Sequence, residues 1–114
     1  MTTNKKSTRY YSSRQEKKVA KALGGRTTVN SGAAMFNGGD VKTRLFCVEC
    51  KTAMTEKASM SIKADWINKL KEEAFATGKP YWTLAFNFGL ENGENFYIIS
   101  ESLFRQLQEH LEEE

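Results

Sequence analysis

The segment 45–51, with the sequence LFCVECK, is the feature that most constrains the fold. It is apolar and β-prone until it reaches Glu49, which is the pattern of a strand buried on both faces. Such a strand needs a layer on each side, and amphipathic helical segments lie before and after it. A chain of 114 residues has room for one such domain. We therefore expect an α/β fold in which helices flank a mixed central sheet.

Eight elements are predicted, in the order α-β-β-β-α-β-β-α. Ser13 is a suitable N-cap for the first helix, which ends at the glycine pair 24–25, and Asn92-Gly93 is a strong hairpin signal. The predicted helices cover 13–23, 61–77 and 100–111, and the predicted strands cover 26–30, 40–42, 45–51, 81–88 and 96–99. Residues 1–12 are expected to form a basic flexible arm ahead of one domain over 13–114.

Charge is distributed unevenly along the chain. Residues 1–63 contain 13 lysines and arginines against 4 acids, a balance of +9, whereas residues 64–114 contain 4 against 10, a balance of −6. A basic half of this density suits a polyanion such as DNA, since each neutralised phosphate releases counterions. Lys5, Lys6, Arg9 and Arg14 are expected to contact DNA phosphates. The alternative is a solvated basic surface with an acidic tail that favours solubility.

The beginning of the chain is polar and contains no signal-peptide pattern, and no apolar run is long enough to cross a membrane. Two cysteines without a secretory signal do not form a disulfide framework. We therefore expect the cytoplasm of a bacterial, archaeal or phage-infected cell. Cys47 and Cys50 lie three residues apart on a strand and should point to opposite faces, which favours two buried thiols over a chelating or redox pair.

The acids within the basic half require an explanation, because carboxylates oppose phosphate binding unless they hold a metal ion or a proton. Glu16 falls on the apolar stripe of the first predicted helix, and Asp40 opens a strand. Glu49 and Lys51 project from one face of the next strand, about 6.5–7 Å apart. If these elements pack together, Asp40, Glu49 and the Cys50 carbonyl could hold Mg²⁺, with Mn²⁺ as a substitute.

In that arrangement Lys51 would orient or deprotonate a water, or stabilise charge on a phosphodiester, and Glu16 would bind a metal-bound water or a second ion. Each residue also has a structural alternative. Glu16 could pair with lysines on the helix surface, Asp40 could cap a glycine turn, and Glu49 with Lys51 could form a salt bridge at a sheet edge.

Together the residues resemble a known family. Its motif is matched by Glu16, Asp40 and the tripeptide Glu49-Cys50-Lys51, preceded by Asn30-Ser31-Gly32. The pattern resembles the PD-(D/E)xK nuclease superfamily, and in particular the archaeal and phage Holliday junction resolvases, although Gly39 stands where the proline is usual. The resemblance extends over roughly residues 14–88.

The resemblance implies a restriction-endonuclease-like fold and a homodimer that nicks opposite strands of four-way DNA junctions with Mg²⁺. It implies catalytic or metal-binding roles for Glu16, Asp40, Glu49 and Lys51, and an active-site or substrate contact for Ser31. Two other functions remain open: a nicking or restriction-type endonuclease on linear duplex DNA, and a DNA-binding protein without enzymatic activity.

Overall fold

The computed structural model describes residues 8–28, 40–53, 55–89 and 93–113. Three helices and five strands form one α/β fold with a mixed five-stranded sheet, which confirms the prediction of an α/β class with a mixed central sheet. In chain order the elements are α1 (Thr8–Leu23), β1 (Arg26–Thr27), β2 (Val41–Lys42), β3 (Phe46–Lys51), α2 (Ala64–Ala76), β4 (Tyr81–Phe86), β5 (Phe96–Ile98) and α3 (Glu101–Leu111).

The strands lie in the sheet in the same order as in the chain. Strand β3 is central, with β2 antiparallel on one side and β4 parallel on the other. The parallel pairing requires a crossover, and α2 supplies it. Thr43 closes the β2–β3 turn, since its hydroxyl oxygen accepts hydrogen bonds from the backbone N–H groups of Leu45 and Phe46. The predicted tight connection between these strands is therefore confirmed.

Two apolar layers cover the two faces of the sheet. On one face α1 places Val19 and Ala20 against a cluster that includes Val48 and Cys50. On the other face α2 places Leu70 and Ala74 against Cys47 and Leu84. Both cysteines are buried thiols outside any disulfide, and they point to opposite faces as expected.

Two helices begin at residues other than those predicted. Helix α1 begins at Thr8, not Ser13, so part of the proposed flexible arm is helical. The contact of the Arg14 guanidinium with the Tyr10 ring, 5.6 Å from its centroid, stabilises this added turn. Helix α2 is capped by Lys63, without a side-chain hydrogen bond, and not by Ser61. At α3 the expectation is confirmed, because the Ser100 hydroxyl accepts a hydrogen bond from the backbone N–H of Leu103.

Helix α3 is amphipathic but only partly covered by the rest of the chain. Leu103 is buried, whereas Phe104, Leu107 and Leu111 are 58%, 45% and 73% exposed. None of the helices in the described part of the chain is long and apolar enough to cross a membrane.

Candidate active site

The candidate site lies where β2 begins and β3 ends. The antiparallel register pairs Val41 with Val48, so Asp40, one residue earlier, comes opposite Glu49. The Asp40 carboxylate accepts a hydrogen bond of 2.8 Å from the backbone N–H of Cys50, and the Asp40 N–H donates one of 2.8 Å to the Val48 carbonyl. The pairing of the strands therefore fixes the Asp40 carboxylate beside the end of β3.

The register places Asp40 and Glu49 opposite each other on adjacent strands, as a pair of neighbouring acids. Burial raises the pKa of Glu49 to about 7, and the adjacent Asp40 charge adds to this. Burial also raises the pKa of Asp40, although the Cys50 N–H and the Lys51 charge oppose the change. Two carboxylates held together in this way repel each other unless a proton or a cation lies between them.

Lys51 projects from the same face of β3 as Glu49, as the alternation of side chains predicted. Its Nζ lies 3.6 Å from Glu49 Oε2, and the two side chains are 30% and 23% exposed. The same ammonium group lies 4.5 Å from the centroid of the Trp66 ring on α2. An acid and an aromatic face thus fix the position of the lysine cation while leaving part of it accessible to solvent.

Glu16 approaches the pair from α1. It is only 9% exposed, which confirms that this acid lies on the inward-facing stripe of the helix. Burial raises the pKa of Glu16 to about 7, the Asp40 charge contributes further, and the Arg9 charge acts in the opposite direction. Helix α1 packs against β2 and β3, so Glu16 lies on the side of the helix that faces those strands.

The donor set fits a hard divalent cation that retains several waters. In the described ranges 8–28, 40–53, 55–89 and 93–113, no group of three or more histidine, cysteine or acidic side chains is arranged to hold a metal ion. Mg²⁺ is commonly held by only one or two carboxylates, with waters and substrate oxygens as further ligands, and Asp40 with Glu49 meets that requirement. The Cys50 carbonyl points to the same side of β3 as its N–H, toward Asp40.

No model of a known protein family matches this chain, and no curated protein or solved structure matches it either. The chemistry of the site therefore has to be argued from its own residues.

The other predicted functional residues fall into two groups. Arg9 and Arg14 lie on α1, where both side chains are exposed. Ser31, Lys5 and Lys6 lie outside the described residues, so their predicted roles stay predictions.

A buried polar network behind Lys51 was not predicted from the sequence. The Gln15 side chain is 3% exposed, and its amide nitrogen lies 2.9 Å from the Lys51 carbonyl oxygen and 3.1 Å from Asn95 Oδ1. Asn87 donates to the same Asn95 oxygen and accepts a hydrogen bond from Thr52. Gln15 lies one turn before Val19 on the buried side of α1. This helical spacing is the feature of the sequence that could have predicted a buried Gln15.

We expect Gln15→Leu to impair the site through the backbone of Lys51. The substitution removes the amide donor that the Lys51 and Ala85 carbonyls and the Asn95 side chain share, which costs about 1–3 kcal/mol of stability. Urea unfolding measures that loss, and Gln15→Glu, which keeps the size but removes the amide donor, should show a loss as well. An unchanged free energy of unfolding for Gln15→Leu would contradict the role given to this network.

Proposed function

We propose that this protein is a metal-dependent DNA endonuclease of the PD-(D/E)xK type. The observation that carries the proposal is the meeting of Asp40, Glu49 and Lys51 at adjoining ends of two antiparallel strands, against which α1 packs with the buried Glu16. Three charged side chains meet where β2 begins and β3 ends, and the buried Glu16 lies on the helix that packs against these strands, which the structural alternatives for each residue taken singly do not explain. Buried carboxyls with perturbed pKa values beside a lysine are typical of functional sites.

Asp40 and Glu49 would hold the cation, and the Cys50 carbonyl faces the same space. When bound, Mg²⁺ would polarise a phosphoryl oxygen and lower the pKa of a coordinated water. The substitution of either carboxylate by an amide removes a negative charge from the donor set. Binding of Mg²⁺ should therefore weaken in Asp40→Asn and in Glu49→Gln.

Lys51 provides the positive charge at the reacting phosphodiester. Hydrolysis forms a bond from a water oxygen to phosphorus and breaks the bond to one ester oxygen of the backbone, and negative charge accumulates on the phosphoryl oxygens. An ammonium group already fixed by Glu49 and Trp66 stabilises that charge without further reorganisation. Glu16 adds a further carboxyl group that accepts a hydrogen bond from the attacking water.

The proposed substrate is DNA, and a four-way junction is the form expected from the resemblance of the motif. The charge balance of +9 over residues 1–63 supports a polyanionic substrate. Cutting both strands of a junction needs two sites, so the proposal includes a homodimer. A linear duplex remains the alternative substrate, since the same carboxylates and lysine would hydrolyse either.

The experiment compares a labelled four-way junction with a linear duplex of the same sequence, in Mg²⁺ or in EDTA. It uses wild type and Glu49→Ala, with thermal melts to show that both are folded. Paired nicks in the junction alone, absent in EDTA and in the variant, support the proposal in full. Metal-dependent cutting of both DNAs supports an endonuclease without junction preference, and tight binding without cutting overturns the enzymatic proposal.

A further inference from the structure

A basic cleft lies at the opposite end of the strands from the carboxylates. It has a volume of about 580 Å³ and lies between the α1–β1 turn, the β2–β3 turn and the residues that follow α2. Four of its described lining side chains are cationic, and none is acidic: Arg26, Lys42, Arg44 and Lys79. Nothing in the proposed chemistry at Asp40, Glu49 and Lys51 uses this cleft.

The pairing of the strands holds two of these cations together at a cost in stability. Arg26 and Lys42 are directly opposite each other in the antiparallel β1–β2 pair. Like charges at such positions repel, and the repulsion decreases when an anion binds between or above them. Burial raises the pKa of Glu73 on α2, and the Lys42 charge acts in the opposite direction. The arrangement therefore indicates an anionic ligand.

The backbone around the cleft is closely packed. A Cβ atom at residue 25 would collide with the Lys42 carbonyl oxygen, so Gly25 allows the turn after α1 to approach β2. The ammonium group of Lys79 lies 3.3 Å from the Arg44 carbonyl oxygen, which ties the residues after α2 to the β2–β3 turn. Cations from separate elements are thus held around one open space.

Helix α1 connects the cleft with the candidate active site. Its exposed side carries basic residues at i, i+3, i+4 and i+7, opposite the buried stripe of Gln15, Glu16, Val19 and Ala20: Arg14, Lys17, Lys18 and Lys21. The helix is about 24 Å long. Along the strands, the cleft begins about 7 Å from Glu49, where Lys42 pairs with Cys47, and extends to Arg44, about 16 Å away. That range corresponds to about two to five phosphates of a duplex, at 3.4 Å per phosphate along one strand.

We propose that the cleft binds the phosphate backbone of a DNA duplex, at a distance from the phosphodiester that is cut. This proposal rests on the proposed function for the identity of the ligand as DNA. The cations come from separate elements around an open cleft, which suits successive phosphates of a strand better than one small anion. Arg26 and Arg44, which are the most exposed of the four, make the outer contacts.

The test measures equilibrium binding of a 24-base-pair duplex to the full chain in EDTA, across a range of salt concentrations. The double variant Arg26→Gln/Arg44→Gln is compared with wild type and with a matched control, Lys71→Gln/Arg105→Gln, which removes the same charge from exposed positions on α2 and α3. The plot of log K against log salt concentration has a negative slope. We expect this slope to be shallower by about 2 in the cleft variant, since each of the two lost phosphate contacts contributes about 0.9. The control should keep the wild-type slope.

Equal slopes for the cleft variant and the control would overturn the proposal. The proposal would also be overturned if the cleft variant lost as much affinity for poly-glutamate as for DNA, compared with wild type. The cleft would then accept any acidic polymer. Failure of the proposed function is a separate outcome: wild type would bind DNA without cutting it in Mg²⁺. The salt slopes in EDTA do not depend on cleavage, so they still support or contradict the cleft as a phosphate-binding surface.

Discussion

Lys51→Met should lower the rate of DNA cleavage by about 10²–10³-fold while the fold is retained. Methionine keeps most of the length and apolar volume of the lysine stem, and it loses only the ammonium group with its contact to Trp66. The substitution removes the Lys51 ammonium group, whose Nζ lies 3.6 Å from Glu49 Oε2. It therefore removes the positive charge that would stabilise the transition state. Single-turnover cleavage with excess enzyme measures the rate of the chemical step.

Lys57→Met is the matched control, because Lys57 is also a lysine shortly after β3 but its side chain is exposed. It removes the same charge from the chain and should leave the single-turnover rate close to that of wild type. Retention of the full rate in Lys51→Met would contradict the role proposed for this residue. Lys51→Arg should cleave DNA faster than Lys51→Met but more slowly than wild type, since the planar guanidinium group does not reproduce the compact ammonium charge.

The metal-free protein should lose stability as the pH rises from 5 to 8. Burial raises the pKa values of Glu16 and Glu49 from the ordinary 4.5 to about 7. Between these values the folded chain holds protons that the unfolded chain has released, so the free energy of unfolding decreases with increasing pH. We expect the Tm in EDTA to fall by roughly 10–20 °C over this range, about 10 °C for each group that titrates fully.

Glu49→Gln should make this pH dependence shallower. It removes one carboxyl group whose pKa is raised, and with it the repulsion between Glu49 and Asp40. Glu109→Gln, at an exposed position on α3, should leave the pH dependence as in wild type. Addition of Mg²⁺ to wild type at pH 8 should raise the Tm, since a ligand that binds only the folded state stabilises it. A Tm in EDTA that rises between pH 5 and 8 would contradict the proposed cause.

Much of the candidate site could be predicted from alternation and periodicity alone. The buried run before Glu49 indicated a central strand, and the two-residue repeat placed Glu49 and Lys51 on one face. The helical period placed Glu16 on the buried side of α1. The tight turn between β2 and β3 then brought Asp40 opposite Glu49, because an antiparallel pair with a short connection leaves little freedom in register.

What could not be predicted depends on contacts between distant parts of the chain. Gln15 reaches the backbone of β3 and β4 only once α1 is docked on the sheet. Lys79 reaches the basic cleft only because the residues after α2 return beside the β2–β3 turn. The early start of α1 at Thr8 overrides the capping preference of Ser13, since side-chain contacts along the helix extend it.

The most direct test of the central claim is the rate of strand cleavage after Mg²⁺ is added to a protein–DNA complex preformed in EDTA. Wild type is compared with Asp40→Asn and Glu49→Gln, each of which keeps the size of the side chain and removes one carboxylate. We predict that Mg²⁺ starts cleavage by wild type and that each variant is at least about 10²-fold slower while still binding DNA. Cleavage in EDTA, or equal rates for wild type and both variants, would contradict a metal-dependent site at Asp40 and Glu49.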